Sequence, residues 1–154
     1  CGYPKGTSLL GTTNTYYIGG SYGGFGKSAA LGIYGNYLTP EYPGAGGGAV
    51  NVYGAPGGGV VRIASNKVYL DGSILANGGT LSYGDGAGGS VWITATALSG
   101  TGSIAANGGN YSYQGGGGRI AVYANDLSGF NIQNVTANGY GAGTVYIQYT
   151  MGYR

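Results

Sequence analysis

A repeated unit of about thirty residues limits the folds open to this chain more than any other feature, because such periods are typical of stacked repeats. The stretch 57–79 reads GGGVVRIASNKVYLDGSILANGG, and 88–109 reads GGSVWITATALSGTGSIAANGG. Both have a glycine pair, a β-branched run, a small-residue turn, a short apolar run and then Ala-Asn-Gly-Gly. A third copy starts at Gly117, and a shortened fourth at Gly143. We therefore expect coils that stack upon each other.

Glycines and asparagines mark equivalent places in the copies. The heads are Gly59, Gly89, Gly118 and Gly143, and the closing residues of the first three copies are Asn77, Asn107 and Asn138. Asparagine side chains readily form hydrogen bonds with nearby backbone, which suits them to turns. Repeated at one corner of a stack, the three asparagines would form a ladder. The alternative is three ordinary Asn-Gly turns.

Alternating apolar residues predict strands within each copy. Val61 and Ile63 share a face, as do Val91 and Ile93 in the next copy. Three short strands a copy indicate an all-β chain: a parallel β-helix-like β-solenoid of about three to four coils. Glycine at this density disfavours helices. The alternative fold is a β-sandwich of consecutive hairpins, since Asn-Gly is also a hairpin signal.

The chain, residues 1–154, is long enough for a single domain with its own core. Residues 1–45 are irregular and rich in tyrosine and glycine. They are predicted to lie as a cap over one end or one side of the repeats, or to form an arm that orders on assembly. Residues 46–150 form the repeat region, in which 46–53 is an incomplete first coil or a cap. In-register stacking would place Arg62 beside Trp92 in a cation–π contact.

Composition argues against several classes of protein. Only 6% of residues are charged and the net charge is +2, too little for the phosphate contacts of nucleic-acid binding. No apolar run approaches the ~20 residues of a membrane span. The chain has no histidine, so Ser-His-Asp catalysis and histidine metal sites are excluded. We expect no enzyme activity and no cofactor.

The few remaining candidates for chemistry are weak. Asp71 and Asp126 fall at different places in the repeat, Asp85 lies in a loop, and all three are expected to cap turns at the surface. The stretch Gly24–Ser28 ends like a phosphate-binding loop, but glycine is missing at the position that this motif requires.

Covalent modification offers three candidate positions. Cys1 could carry the acyl group of a bacterial lipoprotein, or it could be a trimmed end. Asn110 and Asn134 each begin an Asn-X-Ser/Thr sequence and would accept glycans in a secreted protein. One cysteine cannot form an internal disulfide, and no signal-peptide pattern opens the sequence.

The order of the glycine-rich phrases resembles a known module. GGSYGGFG, YGNYLTPEYPGAGGG, GGGVVRIA, VYLDGSILANGG, GAGGSVWITATALSGTGSIAANGG and GGGGRIAVYA follow one another over residues 19–125. This order is similar to a glycine-rich repeat module of large secreted and cell-surface adhesin-like proteins. The resemblance implies a β-helical fold and an extracellular or cell-surface location, and it supplies no catalytic residues.

Tyrosine content and the open-ended repeat together suggest a structural role. The chain has 17 tyrosines, whose flat rings and polar tips suit contacts with protein or sugar. We expect a subunit of an extracellular filament or surface fibre that binds copies of itself head to tail through strand edges. The predicted assembly edge is Thr144, Val145, Tyr146, Ile147, Gln148 and Tyr149. The alternative is an adhesin or carbohydrate-binding module in which tyrosines and Trp92 stack on glycans.

Overall fold

Strands make up nearly all the regular structure of this protein. The computed structural model describes residues 2–4, 7–8, 11–12, 17–28, 32–50 and 53–150. The strands are β1 (Thr7–Ser8), β2 (Gly11–Thr12), β3 (Val60–Tyr69), β4 (Ser73–Leu75), β5 (Ser90–Ser99), β6 (Ser103–Ala105), β7 (Arg119–Asp126), β8 (Val135–Thr136) and β9 (Thr144–Tyr149). In these ranges the only helical element is a 3-10 turn, Ile132–Asn134.

Two parallel sheets form the frame of the repeat region. One has the order β3-β5-β7-β9 and the other the order β4-β6-β8, while β1 and β2 form a small antiparallel pair. Val60 lies opposite Ser90, Ser90 opposite Arg119, and Arg119 opposite Thr144. The four head glycines therefore line up, each one residue before these positions. Consecutive hairpins would make neighbouring strands antiparallel, so the chain does not form the hairpin sandwich.

Each full copy has fewer strands than the sequence suggested. The β-branched run and the following apolar run were expected to be separate strands, but β3 and β5 each continue for ten residues through both. Ser65 stays in register with Ala95 at the expected turn. The pairing is interrupted only at Asn66 and resumes at Lys67, opposite Ala97, so the small residues do not end the strand.

The hydrophobic core lies between the two sheets. Val91 and Ile93 from the longer sheet and Ile104 from the shorter one are completely buried. Their counterparts in the first copy, Val61 and Ile63, are only partly buried. Each copy therefore depends on its neighbours for burial. In the third copy, Val135 occupies the place of Ile104, and the other candidate, Ile132, is exposed.

Glycine-rich segments pack backbone against backbone beside the sheets. The Gly88 N–H donates to Gly116 O at 3.0 Å, Gly116 N–H to Gly20 O at 2.9 Å, and Gly20 N–H to Asp85 O at 2.8 Å. Among the described glycines, only Gly35 and Gly100 have φ in the left-handed region. The others are mostly needed for space. We call these interleaved segments the glycine layer: residues 17–26, 43–48, 54–58, 77–89, 107–118 and 137–143.

The tyrosine-rich N-terminal segment lies over the outer face of the longer sheet. Tyr22 Oη and Ser90 Oγ are 2.7 Å apart, and the Tyr123 hydroxyl donates to Leu38 O at 2.7 Å. Ile18 forms an isolated bridge with Gly48, which is the only strand-like pairing of the stretch 46–50. The strand-like residues 9–10 and 16, and residues 51–52 of the expected first coil, lie outside the described residues.

A membrane-crossing helix is not found in the described part of the chain, where no helix is long and apolar enough.

Candidate functional site

The two ends of the longer sheet form the candidate assembly surface. Among the described residues, β3 pairs only with β5, and β9 only with β7. Val60 on β3 and Val145 on β9 are 42% and 43% exposed, whereas their register partners inside the stack, Ser90 and Ile120, are fully buried. Each end therefore presents a row of unpaired backbone groups, which is the usual template for pairing with another strand.

The backbone groups at the two edges are complementary. The Thr144 N–H donates to Gly118 O at 3.0 Å, toward β7. Since these groups alternate in direction along a strand, those of Val145 and Ile147 point to the open side. At the other end, Ser90 N–H donates to Gly59 O at 2.9 Å, so the groups of Val60 point away from β5. One edge can thus continue the ladder of the other.

The closing asparagines are joined by side chain-to-backbone hydrogen bonds. Asn107 N–H donates to Asn77 Oδ1 at 2.8 Å, and Asn138 N–H donates to Asn107 Oδ1 at 2.7 Å. Each side chain thus reaches the backbone of the next copy rather than another side chain. Within the described residues, the Asn77 N–H and Asn138 Oδ1 have no partner, and they form the two ends of this ladder.

Two substitutions compare the asparagine inside this ladder with the asparagine at its end. In dilute monomeric protein, we expect Asn107→Ala to lower the free energy of unfolding by about 1 kcal/mol, since it leaves the Asn138 N–H without its acceptor. Asn138→Ala removes no such acceptor within the chain, so its effect should stay below about 0.5 kcal/mol. Urea denaturation followed by circular dichroism checks both. Equal losses would contradict this difference.

On the outer face of the longer sheet, the residues three places after each head glycine form a column, and two of them make a cation–π contact. The Arg62 Cζ lies 4.1 Å from the centroid of the Trp92 ring, which confirms the prediction for this pair. One face of the Trp92 ring is thereby covered, which leaves less of this ring for stacking on a sugar. At the other end of the column, Tyr146 packs 5.7 Å from Tyr123 and 5.8 Å from Tyr37, measured between ring centroids.

A buried arginine ties the N-terminal segment to the last two strands of the sheet. Arg119 is 5% exposed, and its Nε and Nη2 donate to Tyr34 O at 2.9 and 2.7 Å. Its Nη1 donates to Thr144 Oγ1 at 3.3 Å, which holds the start of β9. Burial lowers the pKa of the Arg119 guanidinium and raises the pKa of the Tyr22 and Tyr34 hydroxyls.

The repeat pattern carries one signal for this arginine. In the other copies the same register position carries Val60, Ser90 and Thr144. A long polar side chain at a place where the other copies have shorter side chains indicates a specific partner, which here is the Tyr34 carbonyl.

Exposed tyrosines form a second surface feature. Tyr17 lies between Tyr83 and Tyr113, with ring centroids 5.3 and 5.9 Å apart. Lys27 Nζ lies 5.6 Å from the Tyr113 ring and donates to Ser112 O at 3.2 Å. Lys27, the lysine of the stretch that ends like a phosphate-binding loop, therefore contacts Tyr113 and Ser112.

The acids are not gathered in one place. The Asp71 carboxylate accepts the Thr101 N–H at 3.0 Å, and this hydrogen bond is the main reason that the Asp71 pKa is lowered. Asp126 lies in a different register column, opposite Ala97. In the ranges that the structure describes, no group of three His, Cys, Asp or Glu residues could hold a metal.

Asp85 differs from the expectation of a surface residue. It is completely buried, and its carboxylate accepts the Leu81 N–H at 2.9 Å and the Tyr111 N–H. The expectation was wrong because loops 80–86 and 110–116 pack on each other, and a buried carboxylate there bonds both backbones. Its role is to hold two loops of the glycine layer together.

The candidate modification positions differ in access. Asn134 Nδ2, to which a glycan would be attached, donates to Gly102 O at 3.1 Å and Thr101 O at 3.4 Å. A glycan there would break these bonds between neighbouring copies. Asn110 is exposed, and its Oδ1 accepts from Gln114 Nε2. Cys1 lies outside the described residues.

Comparison with family models, with characterised proteins and with solved structures finds no match for this chain. The resemblance to the glycine-rich adhesin-like module therefore stays a prediction.

Proposed function

We propose that this protein is a structural subunit of an extracellular filament, in which the β9 end of one copy adds to the β3 end of the next. The observation that carries the proposal is the pair of open parallel edges, β3 and β9. We propose further that the repeats are coils of a β-solenoid, as the resemblance implies, and that the protein has no catalytic role.

Head-to-tail contact between different ends explains why growth would not stop. The two ends are different surfaces, so each added copy leaves a new open end, and such contacts give filaments unless a ring closes. Natural solenoids normally cover their ends. Neither β3 nor β9 is covered by another described strand. With 6% charged residues, the ends also meet little electrostatic repulsion.

Burial of the terminal side chains would favour the junction. Val61 and Ile63 at one end and Ile147 at the other are only partly buried, while Val91 and Ile120 inside the stack are fully buried. Complete burial of an aliphatic side chain is worth about 1.5–3 kcal/mol. The several half-exposed side chains at one junction can therefore contribute several kcal/mol, together with new hydrogen bonds.

Electron microscopy and light scattering at increasing protein concentration test the proposal. We expect rods that lengthen with concentration. Val145→Lys should reduce assembly at least about tenfold, because the ammonium group reaches water in one copy but is sealed in the junction. Thr80→Lys adds the same charge in an exposed loop and should assemble normally. Circular dichroism verifies that both variants fold, and single particles of wild-type protein at every concentration would refute the proposal.

A carbohydrate-binding adhesin is the second candidate, favoured by the exposed rings of Tyr53, Tyr69 and Tyr111. Such rings can stack on sugars. Binding to a glycan array that is lost on Tyr→Ala substitution at these positions, without rods in the microscope, would favour this candidate over the filament.

A further inference from the structure

We infer that the junction between copies repeats the internal register of the chain, so that Thr144 of one copy lies opposite Val60 of the next. The inference rests on the proposed head-to-tail assembly and adds the partner residues to it. At this junction Tyr146 lies beside Arg62 of the next copy.

The register follows from the internal pairings. In all three strand pairs of the longer sheet, residues that follow a head glycine lie opposite each other: Val60 with Ser90, Ser90 with Arg119, and Arg119 with Thr144. A fourth pairing by the same rule places Thr144 opposite Val60 of the next copy. A shift by one residue would turn the apolar side chains away from the core face.

Hydrogen bonds at the two ends match in this register. In the chain, Thr144 N–H donates to Gly118 O and Ser90 N–H to Gly59 O. The equivalent donor at the junction is the Val60 N–H of the next copy, and the equivalent acceptor is Gly143 O. The asparagine ladder does not cross this junction, because the shortened fourth copy has no closing asparagine between Asn138 and Asn77 of the next copy.

Side chains at the junction also have suitable neighbours. Val145 would cover Val61 of the next copy, as Val91 does inside the chain. The guanidinium of Arg62 covers Trp92 on one side, and Tyr146 would supply a second ring on its other side. Strand β9 carries no charged residue, so Arg62 meets no cation there.

A symmetric dimer through two β9 strands would not repeat the pairing that is found inside the chain. Pairing β9 with a second β9 would be antiparallel, because the contact would use the same surface twice. Only pairing of unlike ends repeats the parallel strand order β3-β5-β7-β9 of the chain.

Disulfide capture between single-cysteine variants tests the register. In the chain, Ala64 lies opposite Thr94, Thr94 opposite Tyr123 and Tyr123 opposite Gln148. In a Cys1→Ser background, Gln148→Cys protein is mixed with Ala64→Cys protein, assembled and oxidised. Neighbouring strands lie about 4.8 Å apart, within the Cα separation that a disulfide allows. The matched control mixes Gln148→Cys with Asn66→Cys, which is two residues further along the same exposed face.

We expect at least about tenfold more disulfide-linked dimer from the 148/64 mixture than from the 148/66 mixture, whose Cα atoms would be about 8 Å apart. Filaments that crosslink equally in both mixtures, or only in the 148/66 mixture, would overturn the register and leave the filament itself standing. Efficient dimers from Gln148→Cys alone would indicate antiparallel β9 pairing and would also overturn it. If wild-type protein forms no filaments, the proposed function fails and the register fails with it.

Discussion

Replacing Gly88 by alanine is expected to destabilise the fold by more than about 4 kcal/mol, beyond the range of most single substitutions. A Cβ at this position would lie 1.9 Å from Ala106 O and 2.7 Å from the Gly118 amide nitrogen. Both are backbone atoms in segments that bond to further segments, so neither can move alone. A domain has about 5–15 kcal/mol in total, so we expect a largely unfolded circular dichroism spectrum at 37 °C.

Gly72→Ala is the matched control, because a Cβ at Gly72 would have nothing within 4 Å. Its φ is not in the left-handed region, so alanine adds no strain there. We expect stability unchanged or raised by about 0.4–1 kcal/mol, since alanine restricts the unfolded chain. If Gly88→Ala lost less than about 1 kcal/mol, the glycine layer would be more loosely packed than the atomic distances indicate.

The register of the longer sheet could be predicted from the sequence, because residues at equivalent places in successive copies lie opposite each other. Once the copies are aligned, the apolar column of Val61, Val91, Ile120 and Val145 and the outward pair Arg62 and Trp92 are determined by alternation alone. The all-β character and the parallel direction of neighbouring copies follow for the same reason. Repetition supplies information that a single short apolar run lacks.

The glycine layer could not be predicted, since glycine serves two purposes that look alike in a sequence. At Gly35 and Gly100 it allows a left-handed backbone, whereas at Gly88 it leaves room for another backbone. In a sequence, both kinds of glycine are typical of turns. Only the positions of the other segments distinguish the two uses, and these positions depend on contacts distant in sequence.

The contacts of the N-terminal segment could not be predicted from the sequence either. Tyr34 lies 85 residues from Arg119, and nothing in the repeat pattern points to that pairing. The register column did show that Arg119 differs from its counterparts, so a polar partner for it could have been predicted, but not which one. A side chain that has no equivalent in the other copies cannot be compared with them, so only the structure identifies its partner.

Alkaline pH is expected to unfold the protein because two buried tyrosines must stay protonated in the fold. Burial raises the pKa of Tyr22 and of Tyr34, with Tyr22 Oη 2.7 Å from Ser90 Oγ and the Tyr34 hydroxyl donating to Pro43 O at 2.6 Å. In the unfolded chain these hydroxyls lose their protons near pH 10, so above that pH the folded state holds more protons. The free energy of unfolding should therefore fall as pH rises, by up to about 2.7 kcal/mol per pH unit for two groups.

Tyrosine-to-phenylalanine variants separate this effect from general alkaline damage. Tyr34→Phe removes one of the two buried hydroxyls, so the slope of unfolding free energy against pH between 10 and 12 should become less steep by up to about 1.4 kcal/mol per pH unit. The variant starts from lower stability because the Pro43 carbonyl loses its donor, which makes the slope the decisive quantity. Tyr53→Phe alters an exposed ring and should leave the slope unchanged. Urea midpoints that stay constant from pH 8 to 12, or equal slopes in wild type and Tyr34→Phe, would mean that these hydroxyls reach solvent without unfolding, and that the N-terminal segment opens independently of the sheet it covers.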